Sequence, residues 1–246
     1  MKNEIRVIDC VSVAVMRESD AATIRGGVPG MTLMYRAALG VYRAMQWRGT
    51  TVIVAGPGNN GGDGYALACI LREHGSACRV AALGDPRSPD SAHFARRAAA
   101  LGVEIAPFAP GCLRGSDILV DCLLGTGFQG AVRENYAAAI REINASGAFV
   151  LSVDINSGMN GDTGAAETAV RSDLTVTIGF VKMGLVTANA GRYMKRLVRA
   201  DIGIALCGNG TRIAADAGDA GEDAMPCPAW LDKRPVDVHD EAYTPC

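Results

Sequence analysis

Several features that mark other classes of protein are missing from this sequence. It contains no apolar run long enough to cross a bilayer, and it does not open with the basic and apolar regions of a secretory signal. The formal net charge is only −2, which leaves no basic field to hold nucleic-acid phosphates non-specifically. We therefore expect neither a membrane nor a nucleic acid as a partner.

Side chains that ligate transition metals are also few. The chain has three histidines, and its eight cysteines are scattered without a C-x-x-C spacing, so a zinc site is not expected. Cys69 and Cys122 fall within apolar segments, where a thiol acts as a small core side chain. Scattered cysteines of this kind are typical of a reducing compartment, and we expect the protein to be cytoplasmic.

What the chain does have is an alternation of apolar strands and helices, and its 246 residues are enough for one domain with a substantial core. This pattern predicts a Rossmann-like three-layer α/β/α sandwich with a mostly parallel sheet, preceded by two N-terminal helices. We expect strands at 51–55, 77–83, 102–105, 117–121, 148–153, 174–178 and 197–201. We expect helices at 13–24, 31–47, 63–74, 90–101 and 134–146.

The composition changes near the end of the chain. Residues 207–224 are small and acidic without an apolar period, which indicates a linker or a mobile tail. The remainder, 226–246, is too poor in apolar residues to form a domain. We therefore divide the chain into one domain, 1–206, and an acidic linker or tail, 207–246.

The central motif is a glycine-rich turn between the first predicted strand of the alternating region and the helix after it. Residues 56–61 read GPGNNG, which fits the dinucleotide pattern G-x-G-x-x-G. Glycines there allow backbone N–H groups and a helix N-terminus to approach an anion. A plain tight turn is the alternative. The doubled Asn59-Asn60 favours a site, because an amide offers a donor and a neutral oxygen ligand together. Asp63 either belongs to that site or is a helix N-terminal residue whose negative charge interacts favourably with the helix dipole.

Three strand ends should meet at one edge of the sheet. The strand before Asn59, the strand that ends at Asp121 and the strand just before Asp154 are each followed by a polar, glycine-containing loop. A carboxylate at such an edge needs a partner, an ion or a catalytic role. Asn60, Asp121 and Ser157 together offer one charged and two neutral oxygens, a set that suits K⁺ better than Mg²⁺ or Zn²⁺. A plain hydrogen-bond network is the competing interpretation.

Four segments, in this order, resemble the YjeF N-terminal domain family, whose enzymes are NAD(P)H-hydrate epimerases. They read AGPGNNGGDGYALA, VDCLLGTGFQG, VDINSGMNGDTG and ADIGIA, and the stretch VMRESDAATIRGGVPGMTLM resembles the family's leading helices. The resemblance covers about 15–204. It implies a Rossmann-like fold, a homodimer, and interconversion of the R and S epimers of hydrated NADH and NADPH (NADHX and NADPHX). A partner NAD(P)HX dehydratase then restores the cofactor.

The resemblance also assigns site residues. By motif, Asn60, Asp121 and Ser157 match the K⁺ ligands, and Asp154 matches the substrate-contacting acid, the candidate catalytic residue for proton transfer. Lys182 lies in a recurrent K-x-G-L, where it could meet a phosphate or cap a strand end. The matching substrate-binding residues are Asn59, Asn60, Gly61, Gly62, Asp63, Gly125, Thr126, Gly127, Phe128, Gln129, Gly130, Ala131 and Asp154.

The chain departs from the family pattern at two places. Tyr35-Arg36 stands where the family often has Glu-Asn, and Asn156 stands where Pro is common. Neither position belongs to the ion or proton-transfer set, so we still expect activity.

Two alternatives to an epimerase remain open. One is a non-catalytic nucleotide-binding or dimerisation scaffold of the same fold. The other is an NAD(P)-dependent oxidoreductase, in which Asp85 would hold the ribose, although no convincing hydride-transfer set is present. Near the end, Arg234-Pro235 and His239 resemble the opening of the dehydratase domain of bifunctional relatives, so 207–246 is a candidate truncated junction.

Overall fold

The computed structural model describes residues 8–214 and 225–244. The helices are α1 (Val13–Arg25), α2 (Gly30–Arg43), α3 (Asn59–Glu73), α4 (Pro89–Ala100) and α5 (Glu134–Ala145), with 3₁₀ turns at Met183–Val186 and Ala190–Arg192. The strands are β1 (Ile8–Val11), β2 (Thr51–Ala55), β3 (Cys78–Ala82), β4 (Glu104–Pro107), β5 (Ile118–Cys122), β6 (Phe149–Val153), β7 (Leu174–Ile178), β8 (Val181–Lys182), β9 (Leu197–Asp201), β10 (Thr211–Ala214), β11 (Met225–Pro226) and β12 (Val236–Asp237).

Within the described residues, eight strands form the main sheet in the spatial order β12-β9-β7-β6-β5-β2-β3-β4, and every pair is parallel. From β2 the chain runs through β3 to β4, and it then returns to the other side of β2 as β5. The order therefore reverses between β2 and β5, where an open α/β sheet leaves a crevice for ligands. The α/β prediction is confirmed.

The sheet is covered on both faces because its central strands are apolar on both sides. One face packs Ile53 and Val120 against α2, α3 and α4. The opposite face packs Val52, Val54 and Leu119 against Ile140 and other residues of α5. Consecutive β-branched residues in β2, all buried, are what a parallel central strand requires. No helix in the described part of the chain is both long and apolar enough to span a membrane.

A small second sheet has the order β11-β10-β1-β8. The sequence did not predict it, because its strands have only two to four residues and show no periodic pattern. The sheet brings the start of the chain beside β8, which carries Lys182 at its end. Its apolar residues form a separate core around Ile155, Val181 and Leu185.

The chain after residue 206 joins both sheets. β10 pairs with β1, and β12 extends the main sheet beside β9. Val238 and Leu231 are buried. Residues 215–224, part of the stretch expected to be a mobile linker, lie outside the described residues. The division at 206 and the junction hypothesis stay predictions.

Candidate active site

A cleft of about 660 Å³ opens over the carboxyl ends of the main-sheet strands. Its floor is the glycine loop after β2, the loop after β5 and the end of β6, and α1 and α2 form a wall. Eight charged side chains line it, among them Asp20, Asp63, Asp154 and Lys182. The cleft lies at the reversal of strand order, as the parallel topology requires.

Asp154 takes an unusual backbone conformation directly after β6. Its φ of 69° is the only positive value among the non-glycine residues that the structure describes. The backbone N–H of Asp154 donates to the carbonyl of Val176 in the neighbouring strand at 2.8 Å, which helps to hold this conformation. Strained residues of this kind are often found at functional sites. The turn leaves the Asp154 side chain 13% exposed in the cleft.

Lys182 fixes the carboxylate of Asp154. Its Nζ lies 2.5 Å from Asp154 Oδ1 and also donates to Thr177 Oγ1 at 3.1 Å and to the Ile178 carbonyl at 2.7 Å. The lysine side chain is only 1% exposed, so these partners compensate its burial. The other oxygen of Asp154 accepts from the Thr126 N–H at 3.0 Å. Lys182 is therefore a partner of the candidate catalytic acid.

Two further carboxyl groups lie near this ion pair. Burial raises the pKa of Asp63 well above its ordinary value, the charges of Asp154 and Asp20 raise it further, and Lys182 lowers it. Burial also raises the pKa of Asp20, with a further rise from Asp154 and a lowering by Lys182. Three acids around one lysine cannot all ionise without cost, so the cleft favours a protonated carboxyl beside the Asp154–Lys182 pair.

Asp121, at the end of β5, is fully buried beneath this floor. Its Oδ1 accepts from Ser157 Oγ at 2.5 Å and from the Leu123 N–H at 3.2 Å, while Oδ2 accepts from Ser152 Oγ and the Ser157 N–H, each at 2.9 Å. Burial raises the pKa of Asp121, and these hydrogen bonds lower it in part. Ser157 Oγ in turn accepts from the Leu124 N–H at 2.8 Å. Asp121 thus ties the loops after β5 and β6 together.

Asn60, in the first turn of α3, is a buried amide that lines the cleft. The residue is 8% exposed, and neither Oδ1 nor Nδ2 has a hydrogen-bond partner among the described residues. A buried amide without partners costs about 1–3 kcal/mol, so its persistence points to a group that it binds. The described residues hold no group of three or more His, Cys, Asp or Glu side chains suited to a metal. A cation here would instead need neutral oxygens such as Asn60 Oδ1.

Residues 30–184 match the protein family described as YjeF-related protein N-terminus. The chain belongs to this family. It is 38% identical over 199 residues to the NAD(P)H-hydrate epimerase of Limosilactobacillus fermentum, a match that covers 78% of this chain and 95% of that relative. It is 34% identical over 202 residues to the NAD(P)H-hydrate epimerase of Lentilactobacillus buchneri, covering 79% and 94%.

Other matches extend the comparison. The bifunctional NAD(P)H-hydrate repair enzyme Nnr of Pyrobaculum aerophilum is 38% identical over 197 residues, which cover 72% of this chain but only 38% of that enzyme. The crystal structure of yeast ynu0, YNL200c, has a TM-score of 0.68 at 19% identity and covers 82% of this chain and 91% of the yeast chain. That likeness shows a shared fold.

Most of the predicted substrate-binding residues of this YjeF-family chain line the cleft. Gly61, Gly62 and Gly130 do not appear in its walls. The residues that line it are Asn59, Asn60, Asp63, Gly125, Thr126, Gly127, Phe128, Gln129, Ala131 and Asp154. Asp121 and Ser157, predicted as ion ligands, lie beneath the floor and are fully buried.

Gly61 and Gly62 have a packing role. The helix α3 begins at Asn59, four residues earlier than predicted, so both glycines fall in its first turn. A Cβ on Gly61 would lie 1.8 Å from the Gly56 carbonyl oxygen, and one on Gly62 would lie 2.3 Å from Ser91 Oγ. Only glycine lets the helix start this close to the strand that feeds it. Glycine's low helix propensity led the sequence analysis to place the start too late.

Sequence reasoning missed several residues of the cleft. Arg17 and Asp20 on α1, Arg87 after β3 and Arg133 before α5 all line it. Arg17 donates to the Thr126 carbonyl at 3.2 Å and so supports the loop after β5. The resemblance of α1 to the family's leading helices was the one sequence signal for these α1 residues. The spacing of residues along the sequence did not indicate that α1 folds over the carboxyl ends of the strands.

Both departures from the family pattern have structural partners. Asn156 is fully buried, and its Nδ2 donates to the carbonyls of Val170 and Tyr193 and to Ser172 Oγ at 2.9–3.0 Å. Arg36 donates to the Glu241 carbonyl at 2.6 Å and to the Ile202 carbonyl at 3.1 Å.

Tyr35 takes part in the same attachment of the chain's end. Its ring centroid lies 5.2 Å from that of Tyr243. Tyr35 and Arg36 therefore hold the C-terminal segment against α2.

Proposed function

We propose that this protein is an NAD(P)H-hydrate epimerase, an isomerase that interconverts the R and S forms of NADHX and NADPHX. Its family and the names of relatives 34–38% identical over most of the chain support this. The observation that carries the proposal is the carboxylate of Asp154, held by Lys182 and Thr126 in a cleft at the reversal of strand order.

Epimerisation needs proton transfer and no redox partner. The carbon that inverts carries a hydroxyl next to the ring nitrogen, and this hydroxyl must leave and return from the other face. A positioned carboxyl can protonate the departing oxygen and later accept a proton from the water that adds back. We assign both steps to Asp154, whose carboxyl group lies in the cleft between Lys182 Nζ and the Thr126 N–H.

Lys182 and Asp63 give this cycle different support. Lys182 is a positioning residue, because its hydrogen bond to Asp154 Oδ1 holds that carboxyl group, while its bonds to Thr177 Oγ1 and the Ile178 carbonyl anchor the lysine itself. Asp63 faces the same cleft with a raised pKa, so it can remain protonated and donate a hydrogen bond to the substrate.

We also propose that K⁺ binds at Asn60, Asp121 and Ser157. The orphaned amide of Asn60 and the low charge of this oxygen set fit a large monovalent cation. Asp121 already accepts four hydrogen bonds. Its contribution to the ion would therefore be its negative charge as well as direct coordination by an oxygen. The ion would supply charge balance for buried Asp121 and would fix Asn60 beside the substrate loops.

The rest of the substrate would lie along the glycine loop. The N-terminus of α3 at Asn59 faces the cleft, and helix N-termini with glycine turns bind phosphate oxygens. We further propose a homodimer and a functional partnership with an NAD(P)HX dehydratase, as the bifunctional Pyrobaculum relative suggests. Light scattering on the purified protein tests the dimer directly.

A cytoplasmic location is part of the same proposal. The seven cysteines that the structure describes are all free thiols, and Cys10, Cys69 and Cys122 are buried. Free thiols of this number fit a reducing compartment.

The test of the function is to incubate purified protein with each separated epimer of NADHX and NADPHX and to follow the ratio of epimers by chromatography. We expect both starting epimers to reach the same mixture faster than they do without protein. Unchanged epimer ratios, with binding of the compounds retained, would favour the scaffold alternative.

A further inference from the structure

One end of the cleft carries a guanidinium without a partner. Arg87 follows β3 and lines the cleft, and its side chain makes no hydrogen bond or ion pair with any residue in 8–214 or 225–244. Asp85, the ribose-binding candidate of the oxidoreductase alternative, does not line the cleft. The charge of Asp85 instead acts with burial to raise the pKa of Tyr65. Of these two charged residues in the loop after β3, the basic Arg87 lines the cleft and the acidic Asp85 does not.

The strand order sets the distance between Arg87 and Asp154, the candidate catalytic residue. Asp154 follows β6, and three strand spacings separate β6 from β3, by way of β5 and β2. At roughly 4.8 Å a spacing the two ends lie about 14 Å apart. The N-terminus of α3, which follows β2, lies between them. A dinucleotide with its hydrated ring at Asp154 and its diphosphate at α3 thus places its second ribose near Arg87.

We infer that Arg87 binds the 2′-phosphate of the adenosine ribose, so that the cleft favours NADPHX over NADHX. This inference rests on the proposed dinucleotide substrate. In doubly wound folds, an arginine after this strand accommodates a 2′-phosphate, whereas an acid there binds the free hydroxyl. Asp90, in the first turn of α4, lines the same cleft three residues after Arg87 and would supply an acceptor for the neighbouring 3′-hydroxyl. Arg87 is the only basic residue of the loop between β3 and α4, and it lines the cleft.

Binding of two fragments tests the inference without any turnover. Calorimetric titration would compare adenosine 2′,5′-bisphosphate with AMP on the wild-type protein, Arg87→Gln and Arg133→Gln. Arg133 is the matched control, because it is a second exposed arginine in the same cleft. We expect Arg87→Gln to weaken the bisphosphate roughly 10- to 100-fold, as for a lost charged hydrogen bond, and AMP by less than about twofold. Arg133→Gln should leave the ratio of the two affinities unchanged.

Several results would overturn the inference. Wild-type protein that binds both fragments equally, or neither, contradicts it, and so does a preference that disappears in Arg133→Gln and persists in Arg87→Gln. In turnover, Arg87→Gln should lower kcat/KM for NADPHX and leave that for NADHX nearly unchanged. A protein that does not epimerise either compound but shows Arg87-dependent fragment binding would sink the proposed function and leave this inference standing.

Discussion

At the scale of single residues, the charges of the cleft work against the stability of the fold. Burial raises the pKa of Asp63 well above its ordinary value, and the charges of Asp154 and Asp20 add to this rise more than Lys182 offsets it. Above about pH 4 the unfolded chain releases a proton that the folded protein still holds. The folded state then binds more protons than the unfolded state, so the contribution of Asp63 to stability falls as pH rises, until the folded-state pKa is passed.

Asp63→Asn should therefore stabilise the protein at neutral pH, because the amide cannot ionise. We expect its melting temperature to exceed that of the wild type at pH 7 and the difference to vanish near pH 4. Thermal melts across this range check the prediction. A difference that is constant with pH, or of the opposite sign at pH 7, would show that Asp63 is not held protonated by the fold.

Asn60 offers the sharpest test of the ion. Asp121→Ala would break four hydrogen bonds whether or not an ion binds, whereas Asn60→Ala removes side-chain atoms that have no partner among the described residues. We expect K⁺ to raise the wild-type melting temperature relative to Na⁺ at equal ionic strength, since a ligand of the native state stabilises it. Asn60→Ala should lose this difference. Equal wild-type melting in the two salts would rule against a specific K⁺ site.

Some residue roles were open to sequence reasoning and others were not. The order of Asn60, Asp121, Asp154 and Ser157 along the chain sufficed to place them near one sheet edge, because parallel strands end together. The partner of Lys182 could not be predicted, since it depends on β8, a two-residue strand with no sequence signature. The role of Asn156 likewise depends on carbonyls of Val170 and Tyr193 that are distant in sequence.

At the scale of elements, the strands of the main sheet were predicted best. β2, β7 and β9 have the predicted boundaries, and most of their residues are buried in the sheet. The predicted start of α3 was four residues too late. The close backbone contact that glycine allows outweighed its low helix propensity.

Glycine substitutions in the first turn of α3 test that explanation. An alanine in a helix gains roughly 1 kcal/mol over glycine, so propensity alone predicts that Gly61→Ala stabilises. The clash of its Cβ with the Gly56 carbonyl oxygen at 1.8 Å predicts the opposite. We expect Gly61→Ala to destabilise by about 2 kcal/mol or more in urea unfolding.

Gly58→Ala is the matched control. A Cβ at Gly58 would meet no other atom within 4 Å, and the φ of −85° at this position suits any residue. We expect a change of less than about 0.5 kcal/mol. Equal losses in both variants would mean that the loop as a whole resists alanine and that the contact with Gly56 is not the cause.

At the scale of the whole molecule, the C-terminal segment is attached to the domain. β12 extends the main sheet, Val238 is buried, and Glu241 pairs with Arg43 at 2.6 Å. Its low apolar content hid this from the sequence analysis, because the few apolar side chains are buried against the domain and not against one another. No described residue after Ile204 lines the cleft.

Truncation after Leu206 separates stability from activity. Removing buried Leu231 and Val238 should lower the free energy of unfolding by a few kcal/mol, at about 1.5–3 kcal/mol for each buried side chain. The folded fraction should keep its epimerase activity, because the cleft lining is intact. Thermal melts and activity per folded molecule check both parts. Loss of turnover in a chain that is still folded would assign the segment a role in the site.

The most direct measurement is the epimerisation rate of Asp154→Asn, with separated epimers as substrate. The amide keeps the shape of the side chain but cannot carry the proton, so we expect a loss of roughly 100-fold or more. Circular dichroism and fragment binding should remain close to those of the wild type. A folded Asp154→Asn protein that equilibrates the epimers at the wild-type rate would contradict the assignment of Asp154 as the proton-transfer residue.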